Sequence, residues 1–194
     1  MACVGGHLSV PGSSLRQTSN SWGAGPDVFF GIGPRNFPFL VGAQVGFDWF
    51  GRTKERFEYD GVLTTWNLDR RAFWTHAVLR FSPSTGSLRP HVDLLGGVWW
   101  HDVGIDQGGD SEEQISGSIG DAHTGSYGLA AGVHWVSPQG ITAGLSLLHL
   151  RGGQINVPNT QDVEVTDDVL YYSEATATNI HQWTLMLTIG ASSQ

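Results

Sequence analysis

The sequence predicts an all-β fold, an eight-stranded antiparallel up-and-down barrel whose strands cross a membrane. Apolar residues alternate with small or polar ones in one segment after another, and the same face is apolar each time. Short, turn-like connections also alternate with long, polar ones along the chain. The remaining residues are too few to cover so much apolar surface. We therefore expect the apolar face to contact lipid.

Segment 37–50, FPFLVGAQVGFDWF, shows the alternation most clearly. Phe39, Val45 and Trp49 stand at its apolar odd-numbered positions, whereas Gln44 and Asp48 lie on the opposite face. Alternation with a period of two is typical of a strand that has one apolar and one polar face. The other segments repeat this phase, and each is long enough to cross a bilayer, which takes about 9 to 11 tilted residues.

Eight segments along the chain are predicted as strands, and the alternation of apolar and polar residues assigns the outward face of each. The segments are 2–10, 22–32, 37–50, 71–81, 88–102, 124–136, 141–151 and 181–189. Each has aliphatic or aromatic residues at alternate positions, with small, polar or charged residues between them. The outward residues that mark the segments, in order, are Val4 and Leu8, Val28 and Phe30, Val41 and Val45, Phe73 and Leu79, Val92 and Leu94, Leu129 and Val133, Leu145 and Leu147, and Leu185 and Leu187.

The connections between these segments indicate the topology. Three of them, 33–37, 83–87 and 137–140, are short and built from turn residues. They alternate with long, mostly polar stretches. Transmembrane β-barrels have short periplasmic turns and longer extracellular loops, so we expect both termini in the periplasm. The expected loops are 11–21, 51–70, 103–123 and 152–178.

Composition agrees with one small barrel domain over residues 1–194. The chain has 27 glycines, which suit a narrow interior, and no apolar run approaches the roughly 18 to 20 residues of a membrane helix. The tryptophans matter by position, because aromatic residues border the apolar band of membrane barrels. The expected girdles are Trp22, Trp49 and Trp100 near the loop-side strand ends, and Trp135, Phe37 and Phe81 near the turn-side ends.

Three stretches, GSLRPHVDLLGGVWW, GSYGLAAGVHW and GITAGLSLLHLRGG, resemble the turn-and-strand units of the bacterial outer-membrane β-barrel superfamily, which includes OmpX, OmpW and related small barrels. The resemblance covers nearly the whole chain and implies an eight-stranded barrel in the outer membrane. Two features differ from this superfamily. The start, MACVGGHLSV, lacks the regions of a signal peptide, so we expect a chain that was processed or trimmed or that starts late. The end, IGASSQ, lacks the aromatic residue that commonly closes the last strand.

The inward face concentrates polar residues. Pairing around the second short turn is expected to bring Arg80 close to Arg89 and His91, and the next strand pair should set His91 roughly opposite His134. Asp93 lies a step away, and both Arg80 and Arg89 should be near enough to compensate its charge. Two imidazoles with Asp93 nearby could hold a metal ion. However, side chains just fill an eight-stranded barrel and two arginines would repel a cation, so we expect a structural cluster without metal or cofactor. Its members are Asp27, Gln44, Asp48, His76, Arg80, Arg89, His91, Asp93 and His134.

Catalysis at the membrane-facing rim is another hypothesis. Some small outer-membrane barrels are lipid-modifying hydrolases or acyltransferases, which need a nucleophilic Ser with a His partner at that rim. His149 and His181 lie there on the outward phase, but Leu150 and Arg151 follow His149, and no Ser takes the His-x-Ser position. Ser146 belongs to the inward face. We therefore expect no enzymatic activity and place both histidines at the level of the lipid headgroups.

The loops carry the expected specificity. Stretches 103–123 and 152–178 hold more than half of the acidic residues and contain no Lys or Arg. Both a solvated, repulsive rim and a surface for cations or a basic partner fit this pattern. The net charge of −8 and the scattered basic residues argue against nucleic acid. The acidic loop residues are Asp106, Asp110, Glu112, Glu113, Asp162, Glu164, Asp167 and Asp168.

Together these features predict an outer-membrane barrel with a plugged lumen and a structural or surface-interaction role. Its expected partners are outer-membrane lipid and a protein that binds the extracellular loops or the barrel wall. Two alternatives stay open at this point: a narrow pore for solutes or ions, and a barrel subunit of a larger surface assembly.

Overall fold

The computed structural model describes residues 1–12, 22–34, 37–59, 62–108, 116–158, 163–166, 169–172 and 175–192. Within them, no helix is long and apolar enough to cross a membrane. The regular secondary structure of these residues is β-strand. The strands are β1 (Ala2–Pro11), β2 (Gly23–Ile32), β3 (Phe39–Tyr59), β4 (Val62–Phe81), β5 (Leu88–Gly108), β6 (Ser116–Val136), β7 (Ile141–Pro158), β8 (Val163–Thr166), β9 (Val169–Tyr172) and β10 (Ala175–Ala191).

Eight of these strands close into a barrel in the order β1-β10-β7-β6-β5-β4-β3-β2, while β8 and β9 pair with each other as a separate hairpin. Every pairing in the barrel is antiparallel. The ring closes where β1 pairs with β10, from Ala2 facing Ala191 to Pro11 facing Gln182. The predicted eight-stranded antiparallel up-and-down barrel is therefore confirmed.

The two faces of the wall differ as the alternation predicts. Outward Leu145 and Leu187 are 46% and 63% exposed, whereas the intervening Ser146 and Met186 are buried. The same phase recurs in each barrel strand. Apolar side chains therefore form an exposed belt around the outside, and polar and charged groups are enclosed within the barrel.

Short connections join the strands at one end of the barrel, which we call the turn end. They link β2 to β3, β4 to β5 and β6 to β7, as predicted. In the last of them, Gly140 adopts a positive φ of 83°, and its N–H donates to the Ser137 carbonyl over 3.0 Å. The Ser137 hydroxyl accepts a further bond of 3.0 Å from the Ile141 N–H, which fixes the start of β7. The opposite end is called the loop end.

At the loop end the strands are longer than the sequence analysis predicts. The expectation of long loops over 51–70, 103–123 and 152–178 is wrong for much of their length, because β3 to β7 and β10 continue into them. Beyond the apolar belt the outer face is polar, so outward alternation no longer marks a strand. The apolar residues change to the inward face instead, where Trp66 and Ile105 are buried. These stretches therefore still alternate as strands do, but with the apolar residues on the inward face and the polar residues on the outward face.

Candidate functional site

Asp48 is the centre of a hydrogen-bond network inside the barrel, and it is fully buried. Its Oδ1 accepts a bond from the Ser9 hydroxyl and lies 3.0 Å from Nε2 of His7. Its Oδ2 accepts bonds from Trp74 Nε1 at 3.0 Å and from Gln182 Nε2 at 3.2 Å. The carboxylate thus joins side chains from β1, β3, β4 and β10 across the lumen.

A second carboxylate extends this network towards β2. Asp27 Oδ1 lies 3.6 Å from Nδ1 of His7, so the imidazole stands between Asp27 and Asp48. Asp27 Oδ2 accepts a bond of 3.3 Å from Gln44 Nε2. Buried carboxylates need polar or charged partners, and the His7 imidazole lies within 3.6 Å of both of these.

Asp27, Gln44 and Asp48 belong to the polar cluster predicted from the sequence, whereas His7 and Ser9 do not. Both lie on the inward phase of β1, so the alternation itself could have found them. Two facts are missing from the sequence pattern. One is the register of β1 against β2, in which Gly5 faces Asp27. The other is that side chains of β1 cross the lumen to contact Asp48 on β3. Alternation alone cannot supply either.

Arg80 and Asp93 form a bidentate ion pair nearer the turn end. The guanidinium donates from Nε to Oδ1 and from NH2 to Oδ2, each over 2.7 Å. The two residues face each other across β4 and β5, and both are buried. The Arg80 guanidinium carbon also lies 4.2 Å from the centre of the Phe29 ring. Such a two-point contact fixes geometry as well as charge.

One predicted detail of this region is wrong. Arg89 is not paired with Asp93, because the register of β4 and β5 sets Arg80 opposite Asp93 and leaves Arg89 near the turn, where its Nε donates to the Gly86 carbonyl over 2.9 Å. His91 and His134 lie close together, as expected. In the register of β5 and β6, His134 faces Arg89, so the two imidazoles are diagonal neighbours that stack with their centroids 4.3 Å apart.

Two other histidines of the lumen, His76 and His91, lie within hydrogen-bond distance of hydroxyl groups. His91 Nε2 lies 3.0 Å from the Ser146 hydroxyl, and His76 Nε2 lies 2.8 Å from the Ser126 hydroxyl. Within the described part of the chain, no group of three or more His, Cys, Asp or Glu side chains is arranged to hold a metal ion. The imidazoles therefore act in this structure as hydrogen-bonded neighbours of the strand hydroxyls.

Apolar side chains pack beside the polar groups inside the barrel. One buried cluster packs near the turn end and another extends into the loop end. A cavity of about 710 Å³ remains at the turn end, and Arg80, Arg89 and His134 are among its lining residues. The two clusters are Cys3, Phe29, Val78, Leu95, Ala130, Leu148 and Met186, and Phe50, Ala72, Trp74, Trp99, Leu150, Ile155 and Ile180.

The predicted girdle residues all lie exposed on the outside of the barrel. Trp49 donates from its indole N–H to Asp69 over 2.6 Å, at the boundary between the apolar belt and the polar loop end. Trp100 packs on Phe73 with ring centroids 5.4 Å apart. The exposed girdle residues are Trp22, Trp49 and Trp100 towards the loop end, and Trp135, Phe37 and Phe81 towards the turn end.

Ion pairs link the side chains of β3, β4 and β5 just beyond the belt. Arg52 NH2 lies 3.6 Å from Asp69 Oδ2 and 3.5 Å from Asp106 Oδ2, and Arg71 NH2 lies 3.0 Å from Asp102 Oδ2. Of the predicted acidic rim, Asp106 thus has a basic partner, and the backbone of Glu164 lies in β8. Asp110, Glu112, Glu113, Asp162, Asp167 and Asp168 lie outside the described residues.

Solved structures with a similar fold exist, although no family model and no curated protein matches the chain. Neisserial surface protein A, NspA, is 10% identical, with a TM-score of 0.50 over 97% of this chain and 93% of its own. Ail of Yersinia pestis is 14% identical, with a TM-score of 0.46 over 98% of this chain and 95% of its own. The N-terminal β-barrel domain of Pseudomonas aeruginosa OprF is 12% identical, with a TM-score of 0.39 over 96% of each chain. The likeness to NspA concerns the fold alone, which is that of a small eight-stranded outer-membrane β-barrel.

Proposed function

We propose that this protein is an outer-membrane β-barrel with a plugged lumen, periplasmic termini and a structural or surface-interaction role. The single observation that carries the proposal is the inverted distribution of side chains at belt level, with apolar groups exposed outside and polar groups buried inside. Monomeric soluble proteins rarely expose continuous apolar patches of more than a few hundred Å². Lipid is the solvent in which such a surface is stable, and a closed barrel leaves no open backbone edge there.

The side chains packed inside the barrel support an interaction role over transport. The Asp48 network and the Arg80–Asp93 pair span the interior, and two apolar clusters occupy the space around them. An ion that passed through would have to break these buried bonds. Planar-bilayer recordings should therefore give no conductance or only rare, small events. A steady open channel would instead support the narrow pore.

The geometry also argues against catalysis. His7, Ser9 and Asp48 are residue types found in hydrolase triads, but here the Ser9 hydroxyl donates to Asp48 and all three side chains are buried in the lumen. A nucleophile in a hydrolase bonds instead to its general base and faces a substrate site. On the outside, no Ser stands two residues after His149, where the His-x-Ser spacing requires it, since Leu150 and Arg151 follow.

The proposed interaction surfaces are the loop end and the barrel wall. The acidic stretches at the loop end would repel anions and attract a basic protein or a bridging cation, whereas the wall contacts lipid. NspA is described as a surface protein, and the same broad location is proposed for this chain.

Membrane fractionation of cells that express the full chain tests the proposal, with and without a detergent that spares the outer membrane. We expect the protein in the fraction that this detergent leaves insoluble. Recovery in the soluble fraction would contradict the membrane location. Co-purification with another protein in a fixed ratio after full extraction would indicate a subunit of a larger assembly.

A further inference from the structure

A basic and aromatic cluster interrupts the apolar belt on one side of the barrel. It consists of Tyr127 on β6, His149 and Arg151 on β7, and His181 and Trp183 on β10, and we call it the wall patch. Arg151 faces Tyr127 on one side and His181 on the other, and His149 faces Trp183 in the adjacent row. All five side chains lie on the outward phase of their strands.

Ring contacts hold the wall patch together. His149 stacks on Trp183 with ring centroids 4.3 Å apart and an interplanar angle of 27°. It meets His181 edge to face, with centroids 4.8 Å apart. Nε2 of His149 is covered by its neighbours and has no hydrogen-bond partner among the described residues. The ring contacts thus give the patch an ordered shape, in which His149 packs between Trp183 and His181.

Arg151 differs from Arg52 and Arg71, two other outward arginines towards the loop end. Arg52 and Arg71 pair with carboxylates of nearby strands, at distances of 3.0 to 3.6 Å. Arg151 takes part in none of the ion pairs found among the described residues, and its cross-strand neighbours are Tyr127 and His181. An exposed guanidinium beside an imidazole and a phenol presents several hydrogen-bond donors and a positive charge to one point in the membrane boundary.

The level of the wall patch matches the region of lipid headgroups. On the turn side, the outward residues are Leu147 and Leu185, both exposed and apolar. On the loop side, Gly125 is exposed, and a Cβ built there would meet nothing within 4 Å. The apolar wall on the turn side and the open glycine on the loop side leave room for a molecule that has both acyl chains and a charged headgroup. Trp183, an amphipathic ring at this boundary, marks the same level.

We propose that the wall patch binds a phosphate group on the headgroup of an outer-leaflet lipid. Arg151 supplies the fixed charge and a two-pronged donor set, and His181 and the Tyr127 hydroxyl supply further donors. The acyl chains lie against Leu147 and Leu185, while Trp183 and His149 hold His181 in place. A divalent metal ion fits less well, because the Arg151 guanidinium would repel it. The inference rests on the proposed membrane location, since only a barrel in a bilayer offers this wall to lipid.

Native mass spectrometry of the full chain, released from mixed micelles, tests this inference. The probe is phosphatidic acid, and the control lipid is diacylglycerol with the same chains and no phosphate. We expect retention of phosphatidic acid over diacylglycerol, and an Arg151→Gln variant should lower this retention by about tenfold, as expected for the loss of a hydrogen bond to a charged group. Arg71→Gln is the matched control, because Arg71 is also outward and near the loop end but pairs with Asp102. It should retain phosphatidic acid as the unchanged protein does.

Several outcomes would overturn the inference. If Arg151→Gln and Arg71→Gln lower the retention of phosphatidic acid equally, the phosphate is attracted by the overall positive charge near the loop end and not by the wall patch. Full displacement of the lipid by the same concentration of inorganic phosphate would mean a site for free anions. Zinc binding that depends on His149 and His181, without selective lipid retention, would mean a metal site.

A His181→Gln variant should lower the retention of phosphatidic acid less than Arg151→Gln does, and it provides a second test if Arg151→Gln fails to fold. Failure of the unchanged protein to insert into vesicles would contradict the membrane location, whereas insertion without selective retention would contradict only the wall patch.

Discussion

Arg80 and Asp93 face each other across β4 and β5 with both guanidinium–carboxylate bonds at 2.7 Å, in the interior of the barrel. Removing one partner of a buried pair leaves the other charge uncompensated, which typically costs about 3 to 5 kcal/mol. Asp93→Asn should therefore lower the thermal unfolding midpoint in detergent. The matched control is the double variant Arg80→Met with Asp93→Leu, which removes both charges. It should unfold at a higher temperature than Asp93→Asn, and equal midpoints would contradict a coupled pair.

The stacked pair His91 and His134 allows a test of the metal hypothesis. Arg80, which binds Asp93, contributes a positive charge to this end of the lumen, and the Ser146 hydroxyl already lies 3.0 Å from His91 Nε2. We therefore expect a chelator to leave the thermal midpoint unchanged. A transition metal bound in stoichiometric amount, and lost in the double variant His91→Ala with His134→Ala, would contradict the structural role.

Leu145 tests which face of the wall meets lipid. It is outward on β7 and 46% exposed. Leu145→Arg should destabilise the barrel by about 2 to 4 kcal/mol in lipid vesicles, since it places a cation near the middle of the bilayer. Gly125→Arg is the matched control, because Gly125 is also outward but lies near the loop end in open space, where the cost of Arg falls to about 0 to 1 kcal/mol. Urea unfolding in vesicles measures both, and equal costs would contradict the assigned level of the belt.

Gly46 tests the packing of the lumen. A Cβ at this position would overlap the indole ring of Trp74, whose N–H binds Asp48. Gly46→Ala should therefore destabilise the barrel by about 1 to 3 kcal/mol, the usual cost of overpacking a core. Trp74→Phe in the same chain should recover part of this loss because the ring is smaller. Gly96→Ala, where nothing lies within 4 Å of the added carbon, should change the free energy of unfolding little. Equal effects at the two glycines would mean that the lumen is loosely packed.

The fold could be predicted from sequence because lipid imposes the same alternation on each strand at belt level. In segment 37–50, that pattern identifies both the strand and its outward face. The signal fails beyond the belt, where water lies outside the barrel and apolar residues such as Trp66 change to the inward phase. Strand lengths at the loop end therefore could not be read from outward alternation.

The candidate site depends on register, which the pattern of alternation does not contain. The inward positions of Arg80, Arg89 and Asp93 were predictable, but which arginine meets the carboxylate depends on how β4 and β5 slide past each other around their turn. A shift of two residues keeps every side chain on its own face and changes every partner. The same limit hides the contact between His7 and Asp48, which joins strands that are not neighbours in the barrel.

Protease accessibility tests the orientation of the barrel in the membrane. The short turn end includes Pro34, Ser84 and Pro138, whereas the long polar stretches lie at the opposite end. Exposed polar stretches are the preferred sites of proteolytic cleavage, so protease added to intact cells should cut within 103–123 or 152–178 and spare the turns. Detergent-permeabilised cells provide the control, since protease then reaches both ends. If protease cleaves the protein of intact cells at the turns alone, the barrel has the opposite orientation, with both termini at the cell surface.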